Sequence, residues 1–297
     1  STPNRAALEN VDPVGEPTRA SSNLVPPAGA SQRGVAQVGH YAGDMTDLEL
    51  ALELADLADE VSMARYGSSD LQVTTKPDMT PVSDADRSVE QCLRERLGQA
   101  RPDDALLGEE YGGTMGDGRA WVIDPIDGTK NYVRRVPVWA TLIALTVDGD
   151  ATLGVVSAPA LGRRWWAAAG EGSWRTENGS GPLPNRVSGV GDLADASLSY
   201  SDDEGWDRQS FLGLVDAVWR SRAYGDFWSH VMVAEGCVDV AAEPSLNLWD
   251  MAALVPVVRE AGGRMTAWSG EPPLRGTSAL TTNGLLHDAV RSRLVHG

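Results

Sequence analysis

The chain has 297 residues, 42% of them hydrophobic, with 42 acidic against 25 basic side chains and a formal net charge of −17. This length can bury a substantial core, as one large domain or as two closely packed halves. The negative charge argues against nucleic acid or an anionic membrane surface as a partner, and no apolar run approaches the roughly 20 residues of a membrane span.

Residues 1–44 are rich in Pro, Ser, Ala and Gly and show no apolar periodicity. We expect a disordered N-terminal extension without the layout of a signal peptide. The chain either carries this extension or starts upstream of a natural initiator at Met45. Residues 45–297 are expected to form the folded domain, with a β-rich half to about residue 185 and an α/β half after it.

Two helices are predicted next. Thr46 can cap the first helix in a capping box, and apolar residues at helical spacing extend it to a stop at Gly67. A second helix should begin at Ser83, which places Asp86 in its first turn. Asp86 could simply complement the helix dipole or take part in chemistry.

A predicted strand then ends in a tight turn that contains two carboxylates and has room to bind a phosphate group. Residues 121–123 are strand-forming, and Pro125 cannot continue a ladder, so we expect the strand to stop at Asp124. Asp127 lies one tight turn further on. Gly128 lets the backbone approach a ligand, and the next residues can open a helix whose N–H groups point at an anion. Carboxylates for a hard cation and amides for a phosphate indicate a metal-dependent phosphatase site.

The remaining elements form a β-rich middle followed by alternating helices and strands. Strands are predicted at 105–107, 139–147, 152–156, 164–168 and 238–242, and helices at 211–219, 228–235 and 250–261. The turn at 148–150 should make the middle strands an antiparallel hairpin. Pro256 falls inside the last helix and should kink it.

Five oxygen ligands for a hard cation are available. They are the carboxylates of Glu109, Asp124, Asp127 and Asp250 and the backbone carbonyl of Ile126. A phosphate monoester dianion repels hydroxide, so a catalyst must neutralise phosphoryl oxygens, generate a nucleophile and stabilise the leaving alkoxide. Oxygen-bound magnesium ions can do all three. Asp250 also opens a helix, where it can act as the N-cap as well.

Four motifs resemble, in their order, those of the inositol monophosphatase family, a group of magnesium-dependent, lithium-sensitive phosphomonoesterases. They lie at residues 82–86, 108–110, 121–132 and 248–253. The resemblance covers roughly residues 46–295. It implies an α/β fold, the layered α/β/α/β/α sandwich of this family, assembled as a homodimer.

The resemblance also implies a role for each ligand. Glu109, Asp124 and the Ile126 carbonyl would hold a first metal, and Asp124, Asp127 and Asp250 a second. Glu109 would share a third, weaker ion and so take part in catalysis, which makes two or three Mg²⁺ ions per subunit.

Two further pairs follow from the same motifs. Asp86 and Thr129 match the pair that holds and deprotonates the attacking water. The amides of Gly128 and Thr129 would cradle the phosphate.

The segment from Arg222 to Phe227, with residues 76–82 and 157–166, looks like the histidinol-phosphate phosphatases of this family. Two carboxylates, Asp226 and Glu243, would suit a substrate with an ammonium group and a titratable imidazole. Arg222 either contacts the substrate or braces Asp226.

We therefore expect Mg²⁺-dependent hydrolysis of L-histidinol phosphate to L-histidinol and phosphate in histidine biosynthesis. Inositol-1-phosphate, or another small phosphorylated metabolite, is the enzymatic alternative. A non-catalytic member that binds phosphorylated metabolites is the alternative of another class, and the complete set of carboxylates with Thr129 speaks against it.

Two cysteines, Cys92 and Cys237, are interpreted as reduced core residues, since the chain has no Cys-x-x-Cys and no secretory signal. This favours a cytoplasmic protein. The histidines have no ligand spacing and are expected at exposed or core positions: His40, His230, His287 and His296.

Overall fold

The structure is a computed structural model that describes residues 45–76 and 80–295. The predicted extension over residues 1–44, and with it His40, lies outside the described residues, as does His296. Within the described ranges, no helix combines the length and the apolar character that a membrane crossing requires.

The described residues form eight α-helices and fifteen β-strands. The helices are α1 (Asp47–Arg65), α2 (Asp84–Ala100), α3 (Thr129–Val133), α4 (Arg208–Val215), α5 (Asp226–Ala234), α6 (Leu248–Ala252), α7 (Leu254–Glu260) and α8 (His287–Val295). The strands are β1 (Val73–Thr75), β2 (Pro81–Ser83), β3 (Ala105–Gly108), β4 (Gly112–Gly113), β5 (Arg119–Asp127), β6 (Ala140–Val147), β7 (Asp150–Ala158), β8 (Arg163–Ala168), β9 (Ser173–Glu177), β10 (Leu183–Pro184), β11 (Ser197–Ser199), β12 (Arg220–Arg222), β13 (Val240–Glu243), β14 (Arg264–Thr266) and β15 (Ala279–Thr282).

Helices and two sheets, one of eight strands and one of five, stack in five layers. The large sheet has the strand order β10-β9-β8-β7-β6-β5-β3-β4, and the small sheet has the order β12-β11-β13-β15-β14. Helices α1 and α2 pack on one face of the large sheet. Helices α5, α6 and α7 lie between the sheets, and α4 and α8 cover the far side of the small sheet. The predicted α/β/α/β/α sandwich is confirmed.

Several local predictions are also confirmed. Thr46 caps α1 in a capping box with Glu49. Strands β6, β7 and β8 form an antiparallel meander, and β6 and β7 are joined by Asp148 and Gly149 at φ 51° and 81°. Two positive φ angles in a two-residue loop match the turn that hairpins prefer, because its twist follows that of the strands.

The prediction that the strand stops at Asp124 was wrong, since β5 continues to Asp127. Pairing with β6 is interrupted after Asp124 and resumes where Asp127 faces Ala140. Pro125 lies in this interruption, so its missing N–H costs no ladder hydrogen bond, and its carbonyl accepts from the Thr141 hydroxyl at 2.8 Å.

Several element boundaries differ from the sequence prediction. The helix predicted over 211–219 begins at Arg208, where the Asp207 side chain caps it, and ends at Val215. It cannot continue, because the chain must reach β12, which pairs in parallel with β11. The strand predicted at 238–242 is Val240–Glu243.

The helix predicted over 250–261 is two helices that meet at Ala253. Pro256 cannot donate to the carbonyl four residues before it, which accounts for an interruption at this point. Strand β7 comes very close to the interruption through Gly154. A Cβ on Gly154 would lie 2.1 Å from the Ala253 carbonyl oxygen and 2.8 Å from Pro256 Cγ. The glycine thus makes room for the interrupted helix pair.

The interpretation of both cysteines as core residues was wrong for Cys237, which is exposed in the turn after α5, while Cys92 is half-buried. The prediction of core positions is confirmed for His230 and His287, which are 1% and 0% exposed. His230 Nδ1 lies 2.8 Å from the Thr281 hydroxyl oxygen.

Candidate active site

Three carboxylates converge where β5 meets the start of α6. Oxygen atoms of Asp124, Asp127 and Asp250 all lie within 4.8 Å of one another. Two of these residues come from the end of β5, and the third comes from the first turn of α6. The structure therefore brings together three of the predicted ligands.

A backbone amide holds one oxygen of each of these carboxylates. Asp124 accepts from the N–H of Ile126 at 3.0 Å, and Asp127 accepts from the N–H of Phe227 at 2.8 Å. Asp250 accepts from an amide three residues before it at 2.7 Å. These amides orient the three carboxylates toward one another.

Asp250 is not the N-cap of its helix, contrary to the sequence interpretation. Asn247 is the N-cap, and Asp250 closes a capping box as the third helical residue. The helix begins two residues earlier than predicted, so the carboxylate points back to the N-cap amide.

The electrostatics of the cluster fit a hard cation. Burial, followed by repulsion from neighbouring carboxylates, raises the pKa of Asp124 and of Asp127 well above the usual value. Burial raises the pKa of Asp250 to about 7. Metal ions that prefer oxygen ligands, Mg²⁺ among them, match this donor set and would offset its negative charge.

Glu109 lies beside the cluster, on the turn after β3. Burial raises its pKa, and it shares a hydrogen bond with Asp124. Its Oε1 atom is 2.6 Å from Lys76 Nζ. Burial alone would lower the pKa of Lys76, but the carboxylates of Glu109 and Glu110 raise it above the usual value.

Asp86 and Thr129 are in contact, as their predicted roles require. The Thr129 hydroxyl lies 3.0 Å from Asp86 Oδ1 and 3.0 Å from the Ile126 carbonyl oxygen. The other oxygen of Asp86 accepts from the N–H of Ser83 at 2.9 Å, which completes the capping box of α2. Asp86 therefore supports the start of α2 and also faces Thr129.

Gly128 makes the turn before α3 possible. Its φ is 84°, and a Cβ there would lie 3.0 Å from the Val138 carbonyl oxygen and 3.3 Å from Asp226 Oδ2. A side chain would be strained at this φ and would also reduce the space between the turn and Asp226.

Asp226 forms part of the cleft wall at the start of α5. Its Oδ2 accepts from Asn131 Nδ2 at 2.9 Å, and its N–H donates to the Ser201 hydroxyl at 2.9 Å. The Ser201 hydroxyl in turn donates to Glu243 Oε1 at 2.8 Å. Burial raises the pKa of Asp226 to about 6 and that of Glu243 to about 8.

Two residues that were predicted to bind substrate lie away from the described lining of the cleft. Glu243 is 4% exposed and reaches Asp226 only through Ser201. Arg222 is exposed on β12 and donates to the Ser221 carbonyl at 2.7 Å. The described contacts of Arg222 do not include Asp226, whose Oδ2 accepts from Asn131.

The cleft has a volume of about 520 Å³. Its described lining includes residues to which the sequence analysis gave no individual role: Lys76, Thr80, Pro81, Lys130, Ser245, Leu246, Asn247 and Trp249. Five of them lie in motifs that the sequence analysis named, at 76–82, 121–132 and 248–253, and the other three lie close to Asp250 in the chain. Lys76 is 33 residues from the glutamate it contacts, so no local pattern links the two.

Comparisons with known proteins show which proteins this chain is similar to. The model of the inositol monophosphatase family matches residues 45–295. A histidinol-phosphatase of Mycobacterium tuberculosis is 58% identical over 84% of this chain and 98% of its own length. A histidinol-phosphatase of Streptomyces coelicolor is 52% identical over 82% of this chain and 95% of its own. The solved structure of a Thermotoga maritima IMPase superposes with a TM-score of 0.75, at 30% identity over 84% of this chain and 96% of that one.

Proposed function

The chain belongs to the inositol monophosphatase family, and from this premise we propose that it hydrolyses L-histidinol phosphate to L-histidinol and phosphate in histidine biosynthesis. Its strong similarity to two histidinol-phosphatases over most of the chain supports this assignment. A non-catalytic role is disfavoured, because the carboxylate cluster and the contact between Asp86 and Thr129 are both complete.

The single observation that carries the substrate assignment is the position of Asp226. Its carboxylate lies in the wall of the cleft that also contains the carboxylate cluster. Histidinol phosphate has an ammonium group on the carbon next to its phosphate-bearing CH₂ group, and an imidazole at the far end. An ion pair or charge-assisted hydrogen bond between Asp226 and one of these cationic groups would orient the substrate. A neutral polyol phosphate offers no cation for this contact.

We propose that the metal is Mg²⁺, with two or three ions per subunit. Glu109, Asp124, Asp127, Asp250 and the Ile126 carbonyl would hold it. When bound, it neutralises phosphoryl oxygens, lowers the pKa of water and stabilises the leaving alkoxide.

The side chains around the cluster supply the proton path. Thr129 can accept a proton from the attacking water while its own hydroxyl proton passes to Asp86 Oδ1, 3.0 Å away. Burial raises the pKa of Asp86, which makes it a better proton acceptor than an exposed aspartate. Gly128 leaves room for the phosphoryl group, and the amides of Gly128 and Thr129 are proposed to bind it.

Three further properties belong to the same proposal. We expect a homodimer, a cytoplasmic location and inhibition by lithium, which would compete for a metal position. Light scattering and lithium titration of the purified protein test the first and the last.

Initial rates of phosphate release with Mg²⁺ test the substrate. Histidinol phosphate, inositol-1-phosphate and glycerol-2-phosphate should be compared at equal enzyme concentration. One charge-assisted contact predicts a kcat/KM at least about tenfold higher for histidinol phosphate. A preference for inositol-1-phosphate would overturn the assignment in favour of its closest alternative.

A further inference from the structure

A buried carboxylate lies directly under the turn that carries Glu109. Glu90 is 0% exposed and projects from α2, one helical turn after Asp86. Its Oε2 accepts from the N–H of Glu110 at 2.7 Å, and its Oε1 accepts from the N–H of Tyr111 at 3.2 Å. Glu90 thus binds the two amides that follow Glu109.

The turn fits this carboxylate so closely that a side chain at its first position would displace the carboxylate. A Cβ on Gly108 would lie 2.1 Å from Glu90 Oε1 and 2.4 Å from its Cδ. The backbone φ of Gly108 is not in the left-handed region, so the space that the Glu90 carboxylate occupies, and not the backbone conformation, favours glycine here.

Arg94 secures the same turn from its other end. Its Nε donates to Glu90 Oε1 at 2.7 Å, its Nη2 donates to the Gly112 carbonyl, and its guanidinium lies 5.8 Å from the centre of the Tyr111 ring. The negative charge of Glu90 is therefore paired, and both ends of the turn are attached to α2.

We propose that Glu90 is a positioning residue for metal binding, because it fixes the turn that presents Glu109 to the carboxylate cluster. The proposal rests on the proposed role of Glu109 as a metal ligand. Helix α2 carries Asp86 and Glu90 on the same face, four residues apart. One rigid helix therefore sets both the water-holding carboxylate and the ligand-bearing turn. A partner that orients a ligand in this way typically accounts for about 10- to 100-fold in metal affinity.

The test is the affinity of Glu90→Gln for a metal ion. The amide keeps the size of the side chain, but it loses the charge and turns an N–H₂ group toward one of the two amides. Mn²⁺ binding, followed by the loss of the free-ion EPR signal, should weaken about tenfold or more. The Mg²⁺ concentration for half-maximal rate should rise by the same factor, with kcat at saturating Mg²⁺ within about threefold of wild type.

Glu95→Gln is the matched control, since Glu95 is exposed on the same helix and contacts only Gln91 among its described hydrogen-bond partners. It should bind Mn²⁺ like wild type. Gly108→Ala perturbs the same contact from the opposite side and should also weaken Mn²⁺ binding. Its effect should shrink in a Glu90→Ala background, where the added methyl group has room.

The outcomes separate this proposal from the metal assignment. If Glu109→Gln weakens Mn²⁺ binding but folded Glu90→Gln and Gly108→Ala do not, the positioning role of Glu90 is overturned while the metal site stands. If Glu109→Gln leaves Mn²⁺ binding unchanged, the assignment of Glu109 fails and the role of Glu90 fails with it. A lower melting temperature with unchanged metal affinity would mean that Glu90 is only structural.

Discussion

Asp226→Asn should convert a selective phosphatase into an unselective one. Asp226 has a φ of 49°, a left-handed conformation that asparagine tolerates and that alanine adopts only with strain. The new side-chain oxygen can still accept from Asn131, and the backbone N–H can still donate to Ser201. The substitution therefore removes one charge and leaves the local fold in place.

The size of the effect follows from the environment of Asp226. Burial raises its pKa to about 6, so the carboxylate is ionised in an assay near pH 8. Losing one charge-assisted contact in a half-buried wall costs roughly 1.5 to 3 kcal/mol, or about ten- to a hundredfold in kcat/KM. Glycerol-2-phosphate offers no cation, so its hydrolysis should change by less than about threefold.

The assay is phosphate release from both substrates by wild type, Asp226→Asn and Asp202→Asn. Asp202 is exposed and affects Asp226 only through its charge, so its variant reports the long-range field alone. We expect a large loss on histidinol phosphate for Asp226→Asn only. Equal losses on both substrates would mean that Asp226 supports the metal site or the fold, and the recognition argument would be refuted.

Three further results are expected. Asp127→Asn should lower kcat at saturating Mg²⁺ by at least about a hundredfold with an unchanged melting temperature, and near wild-type rates would contradict the metal assignment. Gly154→Ala should lower the free energy of unfolding by about 1 to 3 kcal/mol, measured by thermal unfolding, because the new Cβ would collide with a backbone oxygen. Gly98→Ala in α2 is the control: its Cβ meets no atom within 4 Å, so the substitution should be neutral or stabilising. Burial lowers the pKa of His230 to about 4, below its unfolded value of about 6.5, so the folded protein loses stability as the pH falls from 6.5 towards 4. The melting temperature of His230→Gln should therefore drop less than that of wild type between about pH 7 and pH 5. An identical drop would exclude this contribution of His230.

The sequence predicts the metal-binding residues of this site better than it predicts the contacts that position Asp226 and Glu243 around the cleft. Asp124, Asp127 and Gly128 lie within five consecutive residues, so local spacing is enough to predict that they act together. The contact of Asn131 with Asp226 joins residues 95 positions apart, and the bridge from Ser201 to Glu243 spans 42. No local pattern encodes such contacts, which depend on how α5 and the small sheet pack against the large sheet.

Glu243 illustrates the same limit. Its carboxylate favoured a direct role in binding a cationic substrate, but Glu243 is buried on a strand of the small sheet and does not reach the described lining of the cleft. The helix that contains Pro256 was predicted with a kink, yet the chain instead starts a new helix at Leu254. The new helix can lie at this position only because Gly154, on strand β7 of the large sheet, has no side chain.

The continuation of β5 past Pro125 has a consequence for metal binding. Side chains alternate along a regular strand, so residues three apart point to opposite faces. Asp124 and Asp127 nevertheless converge, because Asp124 faces Leu142 and Asp127 faces Ala140. Three steps on β5 thus correspond to two on β6, and the one extra residue restores both carboxylates to the same side. Pro125, from which the sequence analysis predicted the end of the strand, lies within this bulge, and the bulge brings Asp124 and Asp127 together.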